Sequence, residues 1–183
     1  MYQARNWTIV GLLFAVAAAR LVPHVPNFTP LEAMALFGGA TLEDRRSALL
    51  LPLAALFLSD VFLGYAVYGY GLLYAGMPFV YGGVALIVGL GLWMLRHRVT
   101  GPRVALAAFA AAVVFFLVSN FGVWLSGNLY GKTLDGLVTC YVAALPFFRY
   151  SLAGTLFYTV LLFGGFALAE RRFPALRRDA TAA

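Results

Sequence analysis

One stretch of the chain, NFGVWLSGNLYGKT from Asn120 to Thr133, carries residue types that nucleotide-binding loops use. Its last residues spell G-x-x-x-G-K-T, whereas a phosphate-cradling loop places four residues between its two glycines. Such a loop also follows a β-strand, and no strand pattern precedes this stretch. We therefore interpret it as the wall and rim of a pocket at the end of an apolar helix, not as a nucleotide site.

A set of polar and aromatic residues beside the apolar runs has the chemistry to bind a small organic molecule. Aromatic faces can sandwich a planar ring. Amides and Asp135 can hydrogen-bond its polar edge, and Arg149 can pair with a carboxylate or phosphate. The candidate ligand-binding residues are His24, Asn27, Asp60, Tyr68, Tyr70, Asn120, Trp124, Asn128, Tyr130, Asp135, Cys140 and Arg149.

The charged candidates also have structural interpretations. A carboxylate about one turn inside a span, such as Asp60, needs a partner, and Arg20 and Arg149 are predicted at the same level. Glu32 can stabilise the N-terminus of the helix that it opens, because negative charge is favourable there. His24 can be an ordinary surface histidine. Both interpretations stay open for each of these residues.

The tyrosines and the cysteine are equally ambiguous. Tyr68 and Tyr70 belong to a glycine-rich cluster that fits either an interfacial aromatic belt or a flexible lid. Cys140 is the chain's one cysteine, so no internal disulfide can form. It fits a small buried apolar residue better than a ligand for a metal or a cobalt-centred molecule.

Asn120 is harder to explain as part of an apolar core. It lies inside an apolar run, four residues before Trp124 and therefore on the same helical face. An amide in hydrocarbon must find partners, so this face is expected to look inward, toward another helix or a polar cavity. We favour the cavity.

The elements that position these residues are membrane helices. The 183 residues are 63% hydrophobic and 11% charged, whereas a soluble domain keeps about a quarter of its residues charged. The apolar runs are uniform and do not alternate, which favours helices over barrel strands. The predicted fold is one all-α integral membrane domain, a six-transmembrane-helix bundle with a short second helix, with spans at roughly 7–22, 30–41, 47–64, 77–95, 103–126 and 150–169 and a basic tail at 170–183.

The basic residues predict the orientation of the spans. With six crossings, ten arginines fall on the side of the two termini, and the other side keeps Arg20, Lys132 and Arg149. If the short segment 30–41 did not cross, this bias would collapse. The positive-inside rule therefore places both termini in the cytoplasm.

The motifs of common enzymes are missing from the sequence. It contains no HExxH, no GxSxG and no paired His/Cys spacing for a metal. The net charge of +6 comes from short clusters between apolar runs, which topology explains better than nucleic-acid binding. We expect no catalytic centre, no metal, no cofactor and no nucleic-acid partner.

The first span carries a stripe of small residues. Gly11, Ala15 and Ala19 recur at intervals of four. A small-xxx-small stripe lets another helix approach closely. It predicts either a docking face for a partner or packing within the chain.

Four segments resemble a bacterial family of unknown function that is described as a family of transport proteins. They are RLVPHVPNFTPLEAMALFGGA, LPLAALFLSD, NFGVWL and GLVTCYVAALPFFRYSLAGTLFY. That family is similar in architecture to the substrate-binding S components of energy-coupling-factor (ECF) transporters. The similarity lies in the size, the six spans, the short second helix and the Ala15/Ala19 stripe, which resembles the A-x-x-x-A with which S components dock their membrane coupling subunit.

This resemblance implies a function in uptake. It implies a vitamin-sized ligand site near the outer surface of the bacterial cytoplasmic membrane, with energy from a coupling subunit and two ATPases. A solitary relative of S components imports cobalamin and uses a cysteine as cobalt ligand, a comparison that Cys140 invites. The leading hypothesis is a membrane transport protein that captures a vitamin-like nutrient, and the alternative is a non-transporting assembly or interaction subunit.

Overall fold

The computed structural model describes residues 2–69 and 73–177, which form helices joined by short connections. A π-helical turn at Leu63–Tyr68 extends α3, and another at Val160–Gly164 joins α6 to α7 without a break. The helices are α1 Tyr2–Ala18, α2 Leu31–Thr41, α3 Arg45–Phe62, α4 Met77–Met94, α5 Gly101–Ser126, α6 Leu134–Thr159 and α7 Gly165–Arg172.

Five helical segments are long and apolar enough to cross a membrane: Ala4–Leu21, Arg45–Val67, Met77–Met94, Gly101–Ser126 and Leu134–Arg172. Large apolar side chains such as Leu58, Leu86 and Val142 are exposed on their outward faces. Such faces suit lipid tails and would be costly in water. The chain is therefore a multi-pass membrane protein, as the composition predicts.

The short helix α2 occupies the centre of the bundle. All eleven of its residues are buried, and it packs against α1, α3, α4, α5 and α6. It runs between the two ends of the bundle, because Glu32 bonds Ser151 at one end and the Thr41 carbonyl accepts from Arg5 at the other. We call these the cavity end and the terminal end. The prediction of a short second helix is confirmed.

Glycines let the central helix approach its neighbours. A Cβ on Gly91 of α4 would lie 2.5 Å from the Leu36 carbonyl oxygen, and a Cβ on Gly39 would collide with the Val88 carbonyl. Real Cβ atoms do not come this close, so only glycine permits the contact. The close approach of α2 and α4 holds α2 at a fixed depth between the two ends.

The terminal end brings together the start of α1 and the end of α7. Arg5 is buried, donates to the Thr41 carbonyl at 2.8 Å and lies 3.9 Å from Glu170 near the end of α7. Its guanidinium also lies over the Phe166 ring. A cation at the C-terminus of a helix is favourable, because the last carbonyls carry partial negative charge. Arg5 therefore caps the C-terminus of α2.

Most predicted spans agree with the helices to within a few residues, but the last does not. Residues 134–149 were expected to continue the loop after α5, and the structure makes them the first half of α6. The Thr133 hydroxyl accepts from the Gly136 N–H at 3.1 Å and caps this helix, while Asp135 adds favourable charge to its first turn. The helix tolerates Pro146, as membrane helices often do.

Candidate ligand-binding site

A proline-rich strap, residues 22–30, covers the cavity end between α1 and α2. Its prolines fix the backbone and prevent a helix. The strap also turns, because the Phe28 N–H donates to the Val25 carbonyl at 3.0 Å and Asn27 has a φ of 65°. Asparagine is one of the few residues that tolerate this left-handed conformation. The strap therefore contains a turn with Asn27 at its bend.

The strap is seated on α6 through a glycine. A Cβ on Gly154 would lie 2.9 Å from the Thr29 nitrogen and 3.1 Å from the Phe28 backbone. The Phe28 ring packs on Phe157 and Tyr158 at centroid distances of 5.7 and 5.9 Å. These contacts anchor the bend of the strap above α2.

A first cavity of about 460 Å³ lies under the strap. It is bounded by the strap itself, the ends of α1 and α3, and the segment before α4. Its polar lining includes Arg20, His24, Asn27, Thr29 and Asp60. We call this cavity the polar chamber.

An ion pair forms one wall of the polar chamber. Arg20 Nη1 lies 2.8 Å from Asp60 Oδ1, and both side chains are almost buried. The Tyr81 hydroxyl donates to the other Asp60 oxygen at 3.1 Å, and Arg20 also donates to the Ser59 hydroxyl. The prediction that Asp60 needs a cationic partner is confirmed, and the partner is Arg20.

A second cavity of about 330 Å³ adjoins the first between α4, α5 and α6. Its walls are rich in aromatic rings, from Phe115, Phe116, Phe147 and Phe148, with Ser119, Asn120 and Ser151 as polar groups. We call it the aromatic chamber. Arg20, Asn27, Thr29 and Tyr74 line both chambers, so the two form one composite site with a polar part and an aromatic part.

Asn120 lies in the wall of the aromatic chamber, as its position in an apolar span suggested. Its Nδ2 donates to the Phe116 carbonyl one turn earlier at 2.8 Å. Cys140 lies behind this wall, buried, with its Sγ 3.5 Å from the Asn120 carbonyl oxygen. The thiol lines neither chamber. Within the described ranges no group of three His, Cys, Asp or Glu residues is placed to hold a metal.

The stretch with the G-x-x-x-G-K-T pattern forms the connection between α5 and α6. The Trp124 indole N–H donates to the Gly131 carbonyl at 2.9 Å, and the Lys132 ammonium lies over its ring. Lys132 also donates to the carbonyls of Trp124 and Gly127 at the end of α5. A cation on the last carbonyls of a helix is a C-terminal cap. The lysine and the indole therefore hold the connection together.

The other predicted site residues lie away from the chambers or beyond the described structure. Asn128 and Asp135 are exposed at the α5–α6 connection, and Tyr130 is half-buried there. Arg149 is exposed and stacks on Tyr150 at 4.6 Å. None of these residues, nor Trp124, lines either chamber, whereas His24, Asn27, Asp60 and Asn120 do. Tyr70 and the side chain of Tyr68 lie outside the described residues.

Several lining residues were not among the predicted site residues. The phenylalanines on α5 look like ordinary membrane-facing residues in sequence, because nothing in their spacing separates the two faces, and Phe147 and Phe148 lie in the segment that was expected to be loop. Ser151 gave a weak signal, as a hydroxyl in an apolar run. Arg20 was identified as a charge partner but not as a wall of the site.

One family is similar to this chain over nearly its whole length. The sequence model of the family of unknown function DUF6580 matches residues 1–176. The chain belongs to this family. No curated protein and no solved structure matches the DUF6580 chain, so the chambers are interpreted from their own residues.

Proposed function

We propose that this DUF6580 chain is a membrane transport protein that binds a vitamin-like small organic nutrient at its cavity end and passes it across the bacterial cytoplasmic membrane. The cavity end faces outward and both termini are cytoplasmic. The observation that carries the proposal is the pair of adjoining chambers around the N-terminus of α2. Sites for small organic ligands are concave, mostly apolar and set with a few polar groups that orient the ligand.

The orientation is supported by the positions of the arginines. Arg45, Arg96 and Arg103 lie at ends of α3, α4 and α5 that the chain path brings to the terminal end. The basic residues of α7 also lie there, while the cavity end has few cations. Excess positive charge marks the cytoplasmic side of membrane proteins.

The two chambers suggest how the ligand is held. An aromatic or other flat apolar part would lie among the rings of the aromatic chamber, where Asn120 and Ser119 offer hydrogen bonds. The polar part would lie under the strap against Asn27 and the Arg20–Asp60 pair. Since that pair is internally neutralised, it favours a neutral or zwitterionic group over a free dianion.

An S-component-like mode of action would add partners. In that arrangement a membrane coupling subunit with ATPases supplies the energy, and the exposed small residues Gly11 and Ala15 of α1 offer it a docking face. A Cβ on Gly11 would meet nothing within 4 Å, so the face is open. The same open face favours the second candidate function, an assembly subunit whose role is to bind another membrane protein.

Native mass spectrometry of the purified protein tests the proposal. We expect a small organic molecule to remain bound, and Asn120→Leu to reduce its occupancy without unfolding the bundle. The matched control is Val138→Leu on the exposed face of α6, away from both chambers. A protein that carries no small molecule after gentle extraction, and gains none from a panel of vitamins, would favour the assembly subunit.

A further inference from the structure

A buried carboxylic acid lies directly behind the aromatic chamber. Glu32 is in the first turn of α2, and only 1% of its surface is exposed. Carboxylates inside membrane proteins are expensive, and they commonly mark ion or proton pathways. Glu32 lines neither chamber, so direct contact with a ligand does not explain its presence.

The contacts of Glu32 leave half of its carboxyl group unsatisfied. Oε1 accepts a hydrogen bond from the Ser151 hydroxyl at 2.6 Å. Oε2 is buried and makes no hydrogen bond of good geometry with the described residues, and the nearest donors to the carboxyl besides Ser151 are the Thr155 hydroxyl and the Glu32 N–H. Since a buried polar atom without a partner is costly, such an atom in a native protein calls for an explanation.

The charges around Glu32 do not supply an ion pair. Arg20 is the cation whose charge acts on Glu32, and it is held by Asp60 at 2.8 Å. The structure shows no ion pair for Glu32 within residues 2–69 and 73–177. Helix α5 contributes only uncharged groups at this end, among them Ser119 and Asn120. Among the described residues, the titratable or charged groups that the other elements bring to this end of α2 include His24, Arg20, Asp60, Tyr74, Tyr81, Tyr158 and, next to Ser151 on α6, Arg149 and Tyr150.

Ser151 connects the acid to the chamber. Ser151 belongs to the lining of the aromatic chamber, and its hydroxyl bonds the Glu32 carboxyl behind that lining. The Ser151 carbonyl in turn accepts from the Thr155 hydroxyl at 2.8 Å, which fixes this turn of α6. A hydroxyl can donate one proton while it accepts another, so it can relay protons between the chamber and the acid.

We propose that Glu32 is a proton-exchange site of the transport cycle, which trades a proton with the aromatic chamber through the Ser151 hydroxyl. A hydronium ion in the chamber protonates Ser151 Oγ as the Oγ–H bond to the original proton breaks. That proton bonds to Glu32 Oε1, and the products are water, an unchanged serine and a neutral acid. Release reverses these steps.

This role deepens the proposed function and rests on it for its purpose. Ligand and proton would share one chamber, so that occupancy by either changes the binding of the other by the same factor. The proton gradient across the membrane would then be an energy source that this chain can use itself, next to or in place of ATPase partners.

Infrared difference spectroscopy of the purified protein in lipid nanodiscs tests the proposal with protons as the only probe. We expect acidification to produce the carbonyl bands of neutral carboxylic acids, among them one band from Glu32 that Glu32→Gln removes. Glu170→Gln, at the terminal end, is the control that must keep the band. A Glu32→Gln spectrum identical to the wild-type spectrum would overturn the proposal.

A second measurement tests the route. When water is replaced by D₂O, the band shifts as the acid exchanges its proton. Ser151→Ala should slow this shift by about a hundredfold, the low end of what a positioned proton-transfer group contributes, and Ser151→Thr should restore it. An exchange rate that Ser151→Ala leaves unchanged would contradict the relay.

The assignment does not depend on a folded Glu32→Gln variant. The chain has three glutamates, at positions 32, 43 and 170. A Glu43→Gln/Glu170→Gln protein labelled with ¹³C-glutamate therefore reports Glu32 alone, and absence of a shifted band there would also overturn the proposal. Because no ligand is present in these spectra, absence of the Glu32 band from the labelled protein would contradict the proton site only. Failure to find a bound ligand by mass spectrometry would contradict the proposed function only.

Discussion

The two ends of the central helix each hold a nearly buried arginine with an acidic partner, and the two pairs are used differently. At the terminal end Arg5 bonds the α2 carbonyl of Thr41 and lies 3.9 Å from Glu170, beside a small cavity of about 150 Å³. At the cavity end Arg20 pairs with Asp60 at 2.8 Å and faces two larger cavities. Both ends use an arginine and an acid. At the terminal end the arginine bonds the last carbonyl of α2, whereas at the cavity end it pairs with an acid in the wall of a cavity.

The comparison teaches that a buried ion pair does not by itself identify a site. Arg5 satisfies the Thr41 carbonyl at the end of α2. Arg20 bonds no α2 backbone group in the described structure and remains in the wall of a space that a small molecule can enter. The predictions below test this difference.

The largest effect is expected where α2 joins the two ends. Gly91→Val forces a side chain against the Leu36 carbonyl, and overpacking of this kind costs about 1–3 kcal/mol or more. The control is Gly89→Val, since a Cβ on Gly89 would meet nothing within 4 Å. Thermal unfolding in detergent should show a much lower midpoint for the first variant than for the second. Equal midpoints would mean that α2 and α4 do not depend on this close approach.

The next effect separates the two arginines. Arg5→Ala leaves the α2 carbonyl of Thr41 without its donor and should destabilise the protein by about 1–3 kcal/mol, as an unsatisfied buried acceptor does. Arg172→Ala, an exposed arginine of α7, is the control. The double variant Arg20→Met/Asp60→Leu removes both charges at the cavity end together. It should cost little stability, because an apolar replacement of a buried pair is often neutral, but should abolish ligand retention.

Chemical unfolding and native mass spectrometry of the same preparations check this pair of expectations. If Arg20→Met/Asp60→Leu unfolds the protein as severely as Arg5→Ala, the cavity-end pair is structural and the contrast between the ends fails.

A smaller effect distinguishes the wall of the aromatic chamber from the connection beyond it. Asn120→Leu should weaken ligand binding about 2–10-fold, which corresponds to the loss of one hydrogen bond. Trp124→Ala should leave ligand affinity near that of the wild type, because the indole contacts Gly131 and Lys132 and lines neither chamber. Isothermal titration with the retained compound measures both. A stronger effect from Trp124→Ala would move the site into the α5–α6 connection.

The smallest effect concerns how the helices begin. At the terminal end the Asp44 side chain accepts from the Ser47 N–H at 2.7 Å and caps α3, while α2 begins at Pro30 with no side-chain cap. The Ser47 backbone and hydroxyl hydrogen bonds lower the pKa of Asp44 below its ordinary value. Its contribution to stability is therefore complete above the ordinary pKa of aspartate and is lost as pH falls through the lowered value.

Asp44→Asn should consequently make the thermal midpoint fall slightly less steeply as the pH is lowered through the acidic range. Thermal midpoints of both proteins across the acidic range measure this. A profile unchanged by the substitution would show that the cap contributes nothing that titrates.

Much of the fold could be predicted from the sequence because membrane spans are long and uniform. Apolar length, prolines and basic clusters located the helices, including the short α2. The exception was residues 134–149, which lay outside the predicted spans. In water Pro146 argues against a helix, but a capped membrane helix packed on α5 tolerates it.

The site could be predicted only in part. Asp60, Asn27 and Asn120 stand out because polar groups are costly in an apolar setting. The aromatic walls do not stand out, since a phenylalanine that faces a cavity and one that faces lipid look alike in one sequence. Only the packing of α5 on α6 decides between Phe116, in the chamber wall, and Phe109, exposed on the outside.

The complete burial of α2 has one further consequence. Eleven residues cover about 16 Å, roughly half of a hydrocarbon core of about 30 Å. Because each of these residues is enclosed by protein, α2 has no hydrophobic length to match to the bilayer. Changes in lipid thickness therefore act on the five surrounding spans and reach α2 only through its neighbours. The part of the aromatic chamber that α2 forms, at Leu31, is therefore insulated from the membrane around it.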